Sequence, residues 1–419
     1  MAHVVVIGAG VVGAMAALNA LSEGFEVSIM EPATPGGEQA ASYGNGCWLS
    51  PMSVIPPATP GTWKKVPQFL ADPLGPLAVN WRYLPRALPW LAGYLLAGAT
   101  EARVMKHAEA IAPLLRGAPA IHKAIADEAG VGHLIHQRGA MYIYPNRAAF
   151  KAEALAWRVR RRVGIEWREI EAEELRQREP DLDRRYGFGV LVEAAGHCTD
   201  PGGYTAALVA LAEAKGAKRI SAAATGFRIE GGRLKAVRSS AGEVPADRAV
   251  IAAGIRSKPL AKLVGDNVPL ESERGYHAVL LGDAGAYPRT PLMPSDGKMG
   301  VVMTEAGLRA SGQVEIAGIE AEPNWKRAEI LRDHLLSSFP GLPRDLPADR
   351  FKFWMGHRPS TTDGLPVIGA SRECGDVLHA FGHGHTGLVG SARTGRAIGA
   401  LLARRAPEID LRPFSAARF

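Results

Sequence analysis

Cysteine is scarce. The 419 residues hold three, Cys47, Cys198 and Cys374, far apart and in no CxxC pair. Such a set excludes a disulfide framework and a cysteine zinc site, and it suits a reducing compartment. No uninterrupted apolar run reaches the ~18 residues of a spanning helix, so none is expected. Neither a basic stretch nor a small-residue cleavage site precedes the apolar run at His3, so no signal peptide is expected. No metal-ligand constellation is visible in the spacing of His, Cys, Asp and Glu. Excess charge is modest, at +7. The cluster Arg158, Arg160, Arg161 and Arg162 lacks interleaved aromatics or a nucleic-acid-binding module, so it reads as a solvated helix face and no nucleic-acid partner is expected.

Apolar residues make up 47%, with 48 glycines and 30 prolines, which implies a large core linked by many tight turns. At ~100–200 residues per domain, the length suggests two or three domains. HVVVI (3–7) is β-branched and uniformly apolar, as in a strand buried on both faces of a parallel sheet. Gly8, Ala9, Gly10, Val11, Val12 and Gly13 follow directly, then an Ala-rich helix to about residue 22 and a second strand, FEVSIM (25–30), ending at Glu31 and Pro32. This is a β-α-β unit. G-x-G-x-x-G between strand and helix allows a tight turn, close backbone approach to a pyrophosphate, and a helix N-terminus for its charge. Glu31 stands 18 residues beyond Gly13, where a carboxylate can accept ribose hydroxyls. The sheet is then interrupted and resumes near 247–257 and 376–381, which points to FAD rather than NAD.

Residues 32–90 hold eleven prolines and four tryptophans and read as loop-rich. Helices are expected over 101–129, broken near Pro113 and Pro119, and over 148–162, 203–215 and 324–338. KRISAAATGFRIE (218–230) reads as one strand, with GRLKAVRSS as its hairpin partner across Gly231 and Gly232. Segments between 277 and 318 alternate like antiparallel strands. Asp181, Asp200 and Asp363 read as caps or turn formers.

ASYGNGCWLSP (41–51), DRAVIAAGIRS (247–257), ERGYHAVL (273–280), GLRASGQVEIAG (307–318), GHRPSTTDGLPVIG (356–369) and FGHGHTGLVGSARTG (381–395) join the opening motif. Together they resemble the D-amino acid oxidase superfamily of flavoproteins, nearest to the bacterial DadA-type D-amino acid dehydrogenases, over essentially the whole chain. The resemblance implies an α/β fold. It has a discontinuous Rossmann-like FAD-binding domain (1–50, 200–265 and 355–419) and an inserted α+β substrate domain (51–199 and 266–354) on a mixed, mainly antiparallel sheet. FAD is expected to be noncovalent, since no cysteine sits in a flavinylation motif. Ser42, Tyr43, Gly44 and Asn45 are expected along the flavin, with Asn45 offering donor and acceptor to its edge. Ala224 is expected at the adenine, and Ala252, Ala253 and Gly254 beneath the ADP half; plain strand packing is the rival for these two groups. His383, Gly384, His385, Thr386, Gly387 and Leu388 open the last helix, whose N–H groups suit negative charge on a reduced ring.

Arg358 is the leading candidate for gripping a substrate carboxylate, with Tyr276 as second ligand and His277 and His357 as weaker ones. His357 departs from the apolar residue of the dehydrogenases and admits a polar or hydroxylated substrate. The implied reaction is oxidative deamination of a small D-amino acid to a 2-oxo acid and ammonia, by hydride transfer to flavin N5, with electrons passing to a quinone or other respiratory acceptor. Alternatives are D-proline or hydroxy-D-proline, glycine or sarcosine, and a non-catalytic FAD-carrying subunit of a larger complex. A cytoplasmic protein is expected. The segment 73–100, rich in Leu, Trp and Tyr with no acid, reads either as a peripheral contact with the anionic inner membrane face or as a core or lid element.

Overall fold

The computed structural model describes residues 1–64, 75, 77–282, 285 and 288–419. The buried strand His3–Ile7 lies inside a sheet of six described strands, ordered Lys218–Ile220, Glu26–Met30, His3–Ile7, Arg248–Ile251, Val377–Phe381, Val367–Ala370. The first five run parallel and the last is antiparallel. Side chains from far along the sequence therefore meet at one sheet end. The helices Val11–Ser22 and Gly387–Leu402 cross closely, because a Cβ at Gly395 would lie 2.6 Å from the Met15 carbonyl oxygen. That crossing brings both helix N-termini to the same cavity.

The segment 218–230 is two strands, not one. Lys218–Ile220 forms the edge of the parallel sheet, and Ala224–Glu230 leaves it for a separate antiparallel sheet with Arg233–Ser239 and Gly242–Pro245. The small residues between them offer little side chain to hold one sheet. The hairpin at Gly231 and Gly232 forms as expected, with φ of +57° and +72°.

A second, mixed sheet of nine described strands is mainly antiparallel. Leu270–Leu281 pairs with Phe351–Thr361 on one side and Gly307–Ile316 on the other; beyond lie Gly300–Thr304, Leu292–Pro294, Ala140–Tyr144, Phe188–Val192 and Arg168–Glu171. Helix Lys326–Ser338 covers one face, packing Ala328, Leu331 and Leu335 on Tyr276, Ala278 and Ala310. Strand alternation then turns Glu273 and Gly275 to the opposite face, which walls the cavity.

Residues 101–129 are helical and broken, as expected, into Glu101–Leu115 and Ala118–Glu128, but the break lies at Gly117 (φ +68°), between the two prolines. Of the apolar segment 73–100, residues 73, 74 and 76 lie outside the described residues. Leu77–Val79 joins the second sheet, and Leu84–Ala97 is a helix that the loop-rich reading of 32–90 did not foresee. Ala87 and Trp90 are buried, the Trp90 indole donates to the Ser360 carbonyl at 3.1 Å, and the Tyr83 hydroxyl donates to Glu271 at 2.9 Å. The segment is thus packed on the sheet, while Trp81, Leu88 and Leu96 stay exposed. No described helix is long and apolar enough to cross a membrane. The basic cluster also departs from expectation: Arg158 is exposed and pairs with Glu101, but Arg160 is buried.

Candidate active site

One elongated cavity of about 1030 Å³ runs between the two sheets. It is lined at one end by Glu31, Pro32, Ala224, Ala252, Ala253 and Gly254, and in the middle by Gly8, Gly10, Val11, Val12, Ser42, Gly44 and Asn45. His383 through Leu388, with His357 and Arg358, line the other end. The turn at Gly8 has φ +109°, and a Cβ on Gly13 would collide with the Gly8 carbonyl oxygen, so both must be glycine. Glu31 accepts from the Ala9 N–H at 3.0 Å and the Ala33 N–H at 3.2 Å, which fixes its carboxylate at the cavity wall. Ala9 and Gly13 stand behind that wall and shape the turn. Neither helix has a side-chain cap from its own N-cap residue or an acid in its first turn, so both dipole ends suit an anion.

The loop 42–45 does more internal work than expected. Ser42 Oγ accepts from the Val11 N–H at 3.0 Å. Asn45 spends its carbonyl oxygen on the Cys47 N–H at 2.9 Å, supporting the left-handed Cys47 (φ +71°), so it does not offer a free acceptor. A Cβ on Gly44 would collide with the Trp354 ring. Tyr43 stands outside the cavity, its hydroxyl shared with Glu38 and Lys352 at 3.1 Å each. His383 is buried against Thr394 Oγ1 at 3.0 Å, and burial pushes its pKa down to about 3, so it is a neutral residue that shapes the turn.

Arg358 enters the cavity as expected. Its guanidinium donates to the carbonyls of Gln313 at 3.0 Å and Gly312 at 3.3 Å, and burial lowers its pKa against the opposing charge of Glu273. Among the described residues no carboxylate reaches it within ion-pair distance. Gln313 holds φ +58°, an uncommon conformation for a non-glycine residue, and its carbonyl is one of the two that fix Arg358. His357 lines the cavity and shares a hydrogen bond with Ser272 Oγ at 2.8 Å; burial, then Arg274 and Arg256, keep it below its ordinary pKa.

Two expected ligands are elsewhere. Tyr276 lies on the helix-covered face, where its hydroxyl donates to Glu315 at 2.5 Å and accepts from the Asn324 N–H at 3.0 Å. Strand alternation places it there once Gly275 faces the cavity. His277 stacks on Trp354 at 5.1 Å, behind Gly44. Its pKa falls well below the ordinary value through burial and then Arg309.

Glu273 was missed. It lines the cavity fully buried, accepts from Ser360 Oγ and lies 3.2 Å from His385 Nε2. Burial pushes its pKa up, but His385, Ser360 and Arg358 outweigh burial and hold it below the ordinary value. Its place three residues before Tyr276, on a strand expected to face the flavin ring, was the only signal. Trp48, Tyr94, Tyr142, Arg160 and Ser311 also line the cavity.

A tight glycine turn, a strand-end carboxylate, two helix N-termini and a long cavity define a dinucleotide site with a separate anion clamp. The FAD dependent oxidoreductase family matches residues 3–401, and the chain belongs to it. FAD is its cofactor, and the residues above fit that group: Glu31 for a ribose, the Gly8–Gly13 turn for the pyrophosphate, and the 383–388 turn for the ring. The chain is 59% identical over 417 residues to a protein of Bradyrhizobium diazoefficiens named D-amino-acid oxidase, covering 100% of this chain and 99% of that one. It is 30% identical over 422 residues to the D-amino acid dehydrogenase of Paramagnetospirillum magneticum, covering 99% and 98%. Glycine oxidase from Geobacillus kaustophilus matches with a TM-score of 0.72 at 19% identity, covering 100% of both chains. L-proline dehydrogenase from P. horikoshii matches with 0.72 at 18%, covering 100% of this chain and 97% of that one. The two solved structures bear on the fold alone.

Proposed function

We propose that this chain oxidises the α-amine of a D-amino acid to an imine, which water hydrolyses to a 2-oxo acid and ammonia. The observation that carries the reading is Arg358: a half-buried guanidinium in the cavity wall, held by two carbonyls and, among the described residues, without a carboxylate at ion-pair distance. Such a charge is costly in a dry site unless an anion meets it. A substrate carboxylate does so through two parallel bonds, which orients the α-carbon. Bound FAD supplies the two-electron acceptor. Ser360 and His385 hold Glu273 near the clamp, where its charge offsets part of the guanidinium's. A substrate amine that arrives neutral needs no base, and none is assigned.

The D-configuration is supported by the printed names of the relatives at 59% and 30% identity. The 59% relative is named an oxidase, which makes oxygen the first acceptor to test and a quinone the second. The purified yellow protein is mixed anaerobically with a panel of D- and L-amino acids. Bleaching by D-amino acids supports the reading. No bleaching by any amino acid overturns it. Readmitting oxygen or a soluble quinone then identifies the acceptor.

A further inference from the structure

Arg160 is a basic residue that the sequence assigned to solvent, yet it is 7% exposed and lines the same cavity as Arg358. Its Nε donates to the Met52 carbonyl at 3.2 Å and its Nη2 to the Tyr142 hydroxyl at 3.3 Å. The guanidinium lies 4.5 Å from the Trp157 ring centroid and 4.9 Å from that of Tyr142. Among the described residues its Nη1 is buried without a hydrogen-bond partner, and the side chain makes no ion pair. Trp48 Nε1 and Ser311 Oγ, in the same lobe, are also buried and, among the described residues, unpartnered. Lys298 lines the lobe as a further cation.

Strand register connects this lobe to the clamp. Arg358 bonds the Gly312 carbonyl, and Ser311 is the next residue along that strand. Ser311 pairs with Gly300 across the ladder. A Cβ on Gly300 would lie 3.0 Å from Trp48 Nε1, and Trp48 meets Tyr142 edge-on at 6.1 Å. A row of donors thus runs from Arg358 to Arg160. A lobe built for an apolar side chain would leave these groups desolvated and unmatched. We infer that it is the substrate side-chain subsite and that it takes a D-amino acid whose side chain ends in a carboxylate. The α-carboxylate sits on Arg358 at the Ser311 strand and the distal one on Arg160 and Trp48, with Ser311 a donor between them. The strands carrying Ser311 and Tyr142 are three ladder steps apart, ~14 Å between backbones. Side chains shorten that span from both ends, which favours glutamate or a longer acid over aspartate.

This inference rests on Arg358 as the α-carboxylate clamp. The test compares D-glutamate, D-glutamine and D-alanine on the holoenzyme, wild type against Arg160→Met and Ser311→Ala. Wild type should prefer D-glutamate to D-glutamine by about 10-fold or more in kcat/KM, and Arg160→Met should lower the D-glutamate to D-alanine ratio by about 10- to 100-fold. Glutarate should perturb the flavin spectrum of the wild type at lower concentration than butyrate, a readout independent of any variant folding. If D-alanine bleaches the flavin but D-glutamate is no better than D-glutamine, the subsite inference fails and the proposed function stands. If no D-amino acid bleaches it, the proposed function itself fails. Loss of bound FAD in soluble, folded Arg160→Met would assign these donors to the cofactor and overturn the inference.

Discussion

The guanidinium of Arg358 occupies the space that a side chain at Gly275 would fill. The two residues sit on paired neighbouring strands, and the missing Cβ lets the guanidinium cross to the Gly312 and Gln313 carbonyls. Gly275→Ala should therefore expel the clamp without touching substrate. Its kcat/KM should fall by about 10- to 100-fold, close to Arg358→Ala, and the double variant should add little. Steady-state kinetics of the cycle check this. Additive losses would separate Gly275 from the clamp.

Much of the parallel sheet was legible because its signals are local. The Gly8–Gly13 turn, the strand His3–Ile7 and the acid Glu31 are fixed by steric and charge rules within about thirty residues. The position of Arg358 followed from a short motif. Tyr276 was misplaced because its face depends on which side of Leu270–Leu281 the helix Lys326–Ser338 covers, a long-range packing choice. Arg160 was misread for a similar reason: four arginines in a run look alike until one packs on Trp157 and Tyr142. Glu273 gave no pattern at all, since a buried acid is defined by partners distant in sequence.

Cys47, Cys198 and Cys374 are all free and buried, and none lines the cavity. FAD should accordingly be held without a covalent bond. Acid precipitation should leave the yellow colour in the supernatant, and a coloured pellet would contradict this. Gly13→Ala, whose Cβ would strike the Gly8 carbonyl oxygen, should yield colourless protein. An unchanged ratio of flavin absorbance to protein would show that the turn tolerates the clash.

Five buried histidines have depressed pKa values, His277 among them. Burial pushes His107 and His122 down to about 4, and His197 and His383 to about 3. Each is neutral in the fold but takes up a proton in the unfolded chain below its ordinary 6.5. Their stabilising contribution is full above that value and is lost as pH falls, by up to ~1.4 kcal/mol per pH unit for each. Glu179 acts oppositely. Burial raises it to about 7, so the fold binds its proton first and stability declines as pH rises from 4.5. Urea midpoints should fall between pH 7 and pH 5, and Glu179→Gln should steepen that fall. A flat profile in both proteins would refute the assignment.

A test of membrane contact falls on the exposed side of helix Leu84–Ala97. Trp81 is 63% exposed, Leu88 54% and Leu96 58%, with Arg82 and Arg86 exposed beside them. Apolar side chains flanked by arginines suit the boundary of an anionic bilayer, where the guanidiniums meet headgroups and the apolar groups enter the acyl edge. Trp90 is no probe of this contact. It is buried against the sheet with its indole on the Ser360 carbonyl, so a charge there would damage the fold and the active site together. Leu88 and Trp81 are the informative positions. Wild type should float with liposomes containing anionic lipid, and Leu88→Glu with Trp81→Glu should remove most of that binding while D-amino acid oxidation by a soluble acceptor persists. Flotation should also weaken as salt rises, since exposed arginines are screened within about 10 Å at 0.1 M ionic strength. If wild type and the double variant float equally, or neither floats, the helix serves only as part of the cavity wall, where Tyr94 already lines the site.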